Sequence, residues 1–186
     1  LKMEIQSIYQ RTIKFAASKH LEKNQTIPGT NLPYVVHLSN VTMEILVAAQ
    51  NSSDFDLGFA VQVALLHDIL EDTSTTFEEI SKQFGFDIAQ GVLALTKDET
   101  LPKAERMLNS LKRIKDLRTE VWAVKLADRI TNLQEPPNHW DNSKKVEYKQ
   151  EAINILEGLK GGNLYLEKRL GDKINEYEKY LSEQQV

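Results

Sequence analysis

The stretch Ala64-Leu65-Leu66-His67-Asp68-Ile69-Leu70-Glu71-Asp72-Thr73 decides how this chain is read. Four ionisable side chains fall within six positions, directly after an apolar run. Residues four apart share a helix face, so a helix here sets His67 over Glu71 and Asp68 over Asp72. An imidazole beside a carboxylate, one turn from two more carboxylates, suits a divalent metal with acid–base groups at hand. The plainer reading is an amphipathic helix that ends in solvated acids. Against it, Ala64, Leu65, Leu66, Ile69 and Leu70 surround the polar four, and charge buried among such neighbours needs a partner.

The helical period extends outward from this stretch in both directions. Upstream, Ile5, Ile8, Tyr9, Ile13 and Ala16 or Ala17 recur at helix spacing from about Ile5 to His20, and a second helix is expected from about Tyr34 to Gln50. Pro28, Gly29 and Pro33 make the segment between them a loop, by turn chemistry. Downstream, Thr73 to Thr76 followed by Glu78 and Glu79 reads as a loop closing on the N-cap of a short helix that Gly85 ends,. Further helices are expected over about Asp87 to Leu95, Pro102 to Lys115, Glu120 to Leu133 and Asn142 to Leu159. Pro136-Pro137 breaks the chain between the last two,. After Gly161-Gly162 a charged helix runs to about Tyr180, with Leu170, Ile174, Tyr177 and Leu181 spaced to pack on its own domain. No alternating strand pattern of useful length is present, and the expected fold is all-α, a helical bundle of about eight to ten helices.

The 186 residues suit one domain of ordinary size, residues 1–186, with a proper core,. A hydrophobic content of 41% is that of a globular chain, and 27% charged residues is near the soluble average,. The net charge of −4 does not suggest a nucleic-acid-coating surface, so an anionic ligand would have to meet a local basic patch,. The absence of cysteine excludes disulfides, thiolate metal sites and a cysteine nucleophile,. No apolar run approaches the length needed to cross a bilayer and no basic-then-apolar leader pattern is present, so no membrane partner and a cytoplasmic location are expected. Oligomeric state is not legible in the pattern.

Two further stretches carry the polarity of a site. Val124-Lys125-Leu126-Ala127-Asp128-Arg129-Ile130-Thr131-Asn132 sets one acid inside an apolar helix, with Asn132 a turn later on the same face. Asp128 reads equally as half of a buried salt bridge with Lys125 or Arg129. His37 begins a helix after a loop closed by Pro33, and a single histidine on an apolar helix also reads as a hydrogen-bonded core residue. Taken together, His37, His67, Asp68 and Asp128 make a set of two nitrogens and two carboxylates, a mixture that suits Mn²⁺, Fe²⁺ or Zn²⁺ better than Ca²⁺.

Tyr34-x-x-His37, then His67-Asp68 with Glu71-Asp72, then Lys125-x-Ala127-Asp128-Arg129 with Asn132, resembles the HD-domain metal phosphohydrolases. Within them the chain is most similar to the hydrolase domain of RelA/SpoT-type alarmone enzymes and their small stand-alone relatives. The resemblance takes in Phe15-Ala16-Ala17, Lys19-His20, Leu65 to Thr73, Leu95-Thr96, Leu101-Pro102-Lys103 with Glu105-Arg106, Val124 to Leu133 and Gly158 to Leu166. It implies an all-helical HD domain, one bound Mn²⁺ with other divalent transition metals as alternatives, and removal of the 3′-pyrophosphate of guanosine tetra- or pentaphosphate. His37, His67, Asp68 and Asp128 would ligate the metal. Glu71 and Asp72 would position and activate the attacking water, and Asn132 would hold the ribose or phosphate end of the substrate. Lys103 corresponds to a lysine that meets substrate phosphate, while Trp140, Lys144 and Tyr148 fall on a matching late-helix surface.

One departure matters. The relatives usually carry an Arg-Lys pair in the loop before Pro-Tyr, on the purine side of the substrate. Here that loop reads Lys23-Asn24-Gln25-Thr26-Ile27-Pro28-Gly29-Thr30-Asn31-Leu32, where only Lys23 can partly substitute. Leu38 also stands where a proline is common. The rival readings are an HD phosphatase acting on another nucleotide phosphate, a non-catalytic alarmone-binding sensor, and a helical adaptor without metal.

Overall fold

The computed structural model describes residues 4–181. The described residues form ten α-helices: α1 Ile5–Glu22, α2 Val35–Gln50, α3 Leu57–Leu66, α4 Ile69–Asp72, α5 Phe77–Phe84, α6 Phe86–Leu95, α7 Lys103–Lys115, α8 Thr119–Asn132, α9 Asn142–Gly158 and α10 Leu164–Tyr177. A 3-10 turn at Glu178–Tyr180 follows. Extended pairing among the described residues is limited to one isolated bridge between Thr26 and Pro33.

Two helices organise the bundle because both are almost wholly enclosed. In α3, Phe59, Ala60, Val61, Val63, Ala64, Leu65 and Leu66 are all buried. A helix apolar on every side must be surrounded, and α1, α2, α6 and α8 pack around it. Gly91 of α6 permits the close approach on one flank, since a Cβ there would stand 3.2 Å from Val63 Cγ2 and 3.3 Å from Val121 Cγ2. In α8, every residue from Glu120 to Thr131 except Trp122 is buried, and its neighbours include α2, α3 and α10. The apolar stripe of α10, Leu166, Leu170, Ile174 and Tyr177, is buried against this same body, as its spacing predicts. Asp56, Thr76, Asp141 and Asn163 each accept a backbone N–H at the start of a helix, which satisfies donors that helix geometry leaves unpaired,.

The central stretch departs from a single continuous helix. The α3 helix ends at Leu66, His67 and Asp68 form a turn, and α4 has only four residues. At Asp68 the backbone leaves helical geometry, with φ −101° and ψ 0°. The bend turns the His67 ring and the Asp68 carboxylate inward, while Asp72 N–H still donates to Asp68 O at 2.9 Å. The i, i+4 relation therefore survives in the backbone, but Glu71 does not sit as a partner over His67; its carboxylate is bonded to Lys97.

The start of α8 is pinned to the start of α3 by Glu120, whose Oε1 accepts from Asp56 N–H at 2.8 Å and whose Oε2 accepts from Arg118 Nε at 2.9 Å. Burial opposes the charge on Glu120, but Arg118 and the Asp56 N–H overcome it and hold its pKa below the ordinary value. A depressed folded-state pKa gives stability that is complete above the unfolded glutamate range, about 4.3, and is lost as pH falls through the lower folded value. Urea unfolding between pH 7 and pH 3 should therefore show wild type losing more stability at the acid end than Glu120→Gln does; parallel pH curves would contradict this.

Candidate active site

Three elements that meet at the core deliver the candidate ligands. Pro33 and Tyr34 lead into α2, whose first turn carries His37. The turn after α3 carries His67 and Asp68, and α8 carries Asp128. His37, His67 and Asp128 are buried, and the Asp68 side chain is about a quarter exposed. One ligand atom from each of the four lies within 4.8 Å of the others. His67 Nε2 is 2.8 Å from Asp68 Oδ2 and 3.6 Å from Asp128 Oδ1. His37 Nε2 is 3.4 Å from Asp128 Oδ1, 3.8 Å from Asp68 Oδ2 and 3.4 Å from His67 Nε2.

The surroundings set the chemistry of these atoms. His67 Nδ1 donates to Ala64 O at 2.7 Å, which keeps that proton on Nδ1 and turns Nε2 toward the other three groups. Asp128 divides its oxygens: Oδ2 faces Lys125 Nζ at 3.2 Å, whereas Oδ1 accepts from Asn132 Nδ2 at 2.6 Å and faces both imidazoles. Lys125 thus takes one oxygen of Asp128 as a salt bridge, and the other faces the imidazole cluster. The Tyr34 hydroxyl donates to Asp68 Oδ2.

Burial by itself would lower the His67 pKa, yet Asp68 and Asp128 together hold it well above the ordinary value. Asp68 is pulled down to about 2 against its own burial by His67. Asp128 is likewise held well below the ordinary range, against burial, by Lys125 and the imidazoles. Two ionised carboxylates with one lysine leave a negative charge in a largely buried pocket, and that charge needs a cation. A proton on His67 is one solution and a divalent ion is another. Two imidazole nitrogens and two carboxylates, with His67 already oriented by Ala64 O, fit a divalent transition metal.

Glu71 and Asp72 lie one helical turn past Asp68 and are held by different loops. Glu71 accepts from Lys97 twice, from Nζ at 2.9 Å and from the backbone N–H at 3.1 Å. Asp72 Oδ2 accepts from Gln25 Nε2 at 2.7 Å. Tyr34, Gln25 and Lys97 were not candidates from the residues alone. The place of Tyr34 beside Pro33 at a helix start was the one available signal, whereas Gln25 and Lys97 sit in polar loops that carry none.

A cleft of about 320 Å³ opens from His37. Its walls include Val36 and Asn40 of α2, loop residues Ile27, Pro28 and Leu32, and the expected substrate residues Asn132, Trp140 and Tyr148. Trp140 and Tyr148 meet edge to face at 5.0 Å, and Arg129 stacks on Tyr148 at 4.3 Å. Burial pushes the Tyr148 hydroxyl up to about 12. The expected lysines are less central. Lys144 is paired with Glu147 at 2.7 Å and lies 5.8 Å from the Trp140 ring. Lys103 is exposed at the start of α7 with its charge felt by Glu147, and Lys23 is exposed at the end of α1. None of the three is among the residues that line the cleft.

The chain matches the HD domain family over residues 12–163. It is 36% identical over 169 residues to the guanosine-3′,5′-bis(diphosphate) 3′-pyrophosphohydrolase MESH1 of Danio rerio, covering 88% of this chain and 91% of that one. It is 35% identical over 161 residues to the protein of the same name from Homo sapiens, covering 84% and 87%. A solved structure described as a metazoan ortholog of SpoT that hydrolyzes ppGpp superimposes with a TM-score of 0.77 at 30% identity, covering 94% of this chain and 97% of the other.

Proposed function

Because the chain belongs to the HD domain family, we propose that it is a metal-dependent hydrolase that removes the 3′-pyrophosphate of guanosine 3′,5′-bis(diphosphate). The observation that carries this reading is the cluster of His37, His67, Asp68 and Asp128, three of them buried and one, His37, lining a cleft, with Glu71 and Asp72 one turn past Asp68. Relatives named for this activity span nearly the full chain. Residues 1–186 are taken as one catalytic domain.

In this reading the four clustered side chains hold one divalent cation, Mn²⁺ being the first choice. Such an ion polarises a phosphoryl oxygen and acidifies water when bound. Lys125 and Asn132 orient Asp128, and Ala64 O orients His67. Glu71 and Asp72 position the attacking water and take its proton. As water adds to phosphorus, the bond to the ribose 3′-oxygen breaks, that oxygen takes up a proton, and pyrophosphate leaves with guanosine 5′-diphosphate as the other product. The cleft suits a nucleoside, with the Trp140 and Tyr148 rings as apolar walls and Asn132 near the ribose,. Lys103 and Lys144 are the cations this reading assigns to the substrate phosphates.

A second reading, hydrolysis of another nucleotide phosphate, is favoured by one observation: the loop that walls the cleft contributes Ile27, Pro28, Thr30 and Leu32, none of them charged. Protein loaded with Mn²⁺ should release pyrophosphate from guanosine 3′,5′-bis(diphosphate) and lose that activity in excess chelator. Faster phosphate release from another nucleotide in the same panel would favour the second reading. Tight alarmone binding without any release would make the protein a sensor.

A further inference from the structure

Gln25 occupies an unusual place for a loop residue. Its backbone N–H donates to His20 O at 3.1 Å, and its own carbonyl accepts from Tyr34 N–H at 3.1 Å. The backbone of the residue is therefore clamped between the end of α1 and the start of α2. Its side chain spans two groups: Nε2 donates to Asp72 Oδ2 at 2.7 Å, and Oε1 lies 2.5 Å from His20 Nδ1.

The chemistry of the partners fixes every proton in this chain of contacts. An ionised carboxylate only accepts, so the amide must turn its NH₂ to Asp72 and its carbonyl to His20. The carbonyl only accepts in turn, so His20 must carry its proton on Nδ1. His20 is buried, its Nε2 has no hydrogen-bond partner, and its ring lies against Tyr34 at 4.8 Å. A fold that leaves one ring nitrogen of a buried histidine unsatisfied gains nothing from that nitrogen. What the ring supplies is a donor at Nδ1, aimed at the one orientation of Gln25 that serves Asp72.

We propose that His20 and Gln25 are positioning residues for Asp72, with His20 locking the Gln25 amide so that its NH₂ faces the carboxylate. The inference rests on the reading of Asp72 as a proton-handling group in the proposed hydrolysis. It predicts a difference between two substitutions of similar polarity. The side-chain amide of asparagine reaches the position of histidine Nδ1, and that of glutamine reaches the position of Nε2. His20→Asn thus keeps the donor to Gln25, and His20→Gln does not.

The test measures pyrophosphate release, KM and bound Mn²⁺ for wild type, His20→Gln, His20→Asn and Gln25→Leu, with thermal melts to verify folding. His20→Gln and Gln25→Leu should lower kcat by roughly 10–100-fold with KM within about twofold and metal content unchanged, while His20→Asn stays within about threefold of wild type. Long-range proton–nitrogen NMR should find His20 protonated on Nδ1 in the wild-type protein. Equal activity in the two His20 variants, a changed metal content, or an Nε2-protonated ring would overturn the positioning role. A wild-type protein that binds Mn²⁺ but releases no pyrophosphate would overturn the hydrolase reading, and this inference with it.

Discussion

Replacing Asp68 with alanine is expected to strip the protein of its divalent cation and to cut pyrophosphate release by at least about 10³-fold, the equivalent of losing roughly 4 kcal/mol of Lewis-acid stabilisation. Asp68 Oδ2 is the carboxylate oxygen nearest His67 Nε2, at 2.8 Å, and it also faces His37 Nε2 at 3.8 Å. Its pKa of about 2, set by His67 against the penalty of burial, keeps it ionised throughout the working range. The substitution is cleaner than one at Asp128. Removing Asp128 would leave Lys125 buried without its counter-charge, a defect that costs about 3–5 kcal/mol in such pairs. The Asp68 side chain is 24% exposed, and the Tyr34 hydroxyl that loses its acceptor is uncharged, so the defect is smaller. The check is metal content after dialysis, measured beside pyrophosphate release on protein whose melting curve shows it folded. A variant that retains wild-type metal would remove Asp68 from the ligand set.

Glu71→Gln and Asp72→Asn should behave in the opposite way with respect to metal: each keeps one ion per chain and loses about 10²–10⁴-fold in kcat, the range for a general acid–base group. Neither carboxylate belongs to the four-atom cluster. Glu71 is directed to Lys97 and Asp72 to Gln25. The amide replacements keep size and shape but cannot take a proton. In Glu71→Gln the lysine loses its counter-charge, yet the Lys97 side chain is 44% exposed and water can replace the partner at little cost in stability. Loss of metal in either variant would mean that the carboxylate pair and the ligand set are not separate groups. Together with Asp68→Ala, the three proteins divide the site into atoms that hold the cation and atoms that handle the proton.

Much of this cluster is legible in the sequence, because its residue types sit in short motifs with helical spacing. His67-Asp68, the Glu71-Asp72 pair and the Asp128/Asn132 face lie in or beside apolar runs, and burial among such runs is a local property of the pattern. The four-residue offset of Asp128 and Asn132 appears directly as the 2.6 Å hydrogen bond between them. Other features could not be read locally. The turn at His67-Asp68 interrupts what periodicity reads as one helix, and the groups the two side chains face there, His37 and Asp128, belong to α2 and α8. The grip of Lys97 on Glu71 spans 26 positions, and that of Gln25 on Asp72 spans 47. The lysines expected at the substrate show the same limit from the other side: Lys144 is paired with Glu147, and none of Lys23, Lys103 and Lys144 lines the cleft, which their place in the sequence does not tell.

By itself, then, the sequence determined an all-helical chain, the apolar helices at its centre, and the imidazoles and carboxylates able to share a cation. Helix periodicity and burial are set by residues three and four apart, so a linear reading captures them. Only the tertiary structure decided that the second oxygen of Asp128 faces both imidazoles, that the Tyr34 hydroxyl meets Asp68, and that two separate loops hold the carboxylate pair. Those outcomes depend on how α2, α3 and α8 pack against one another and where the loops between helices run, and no local spacing encodes either.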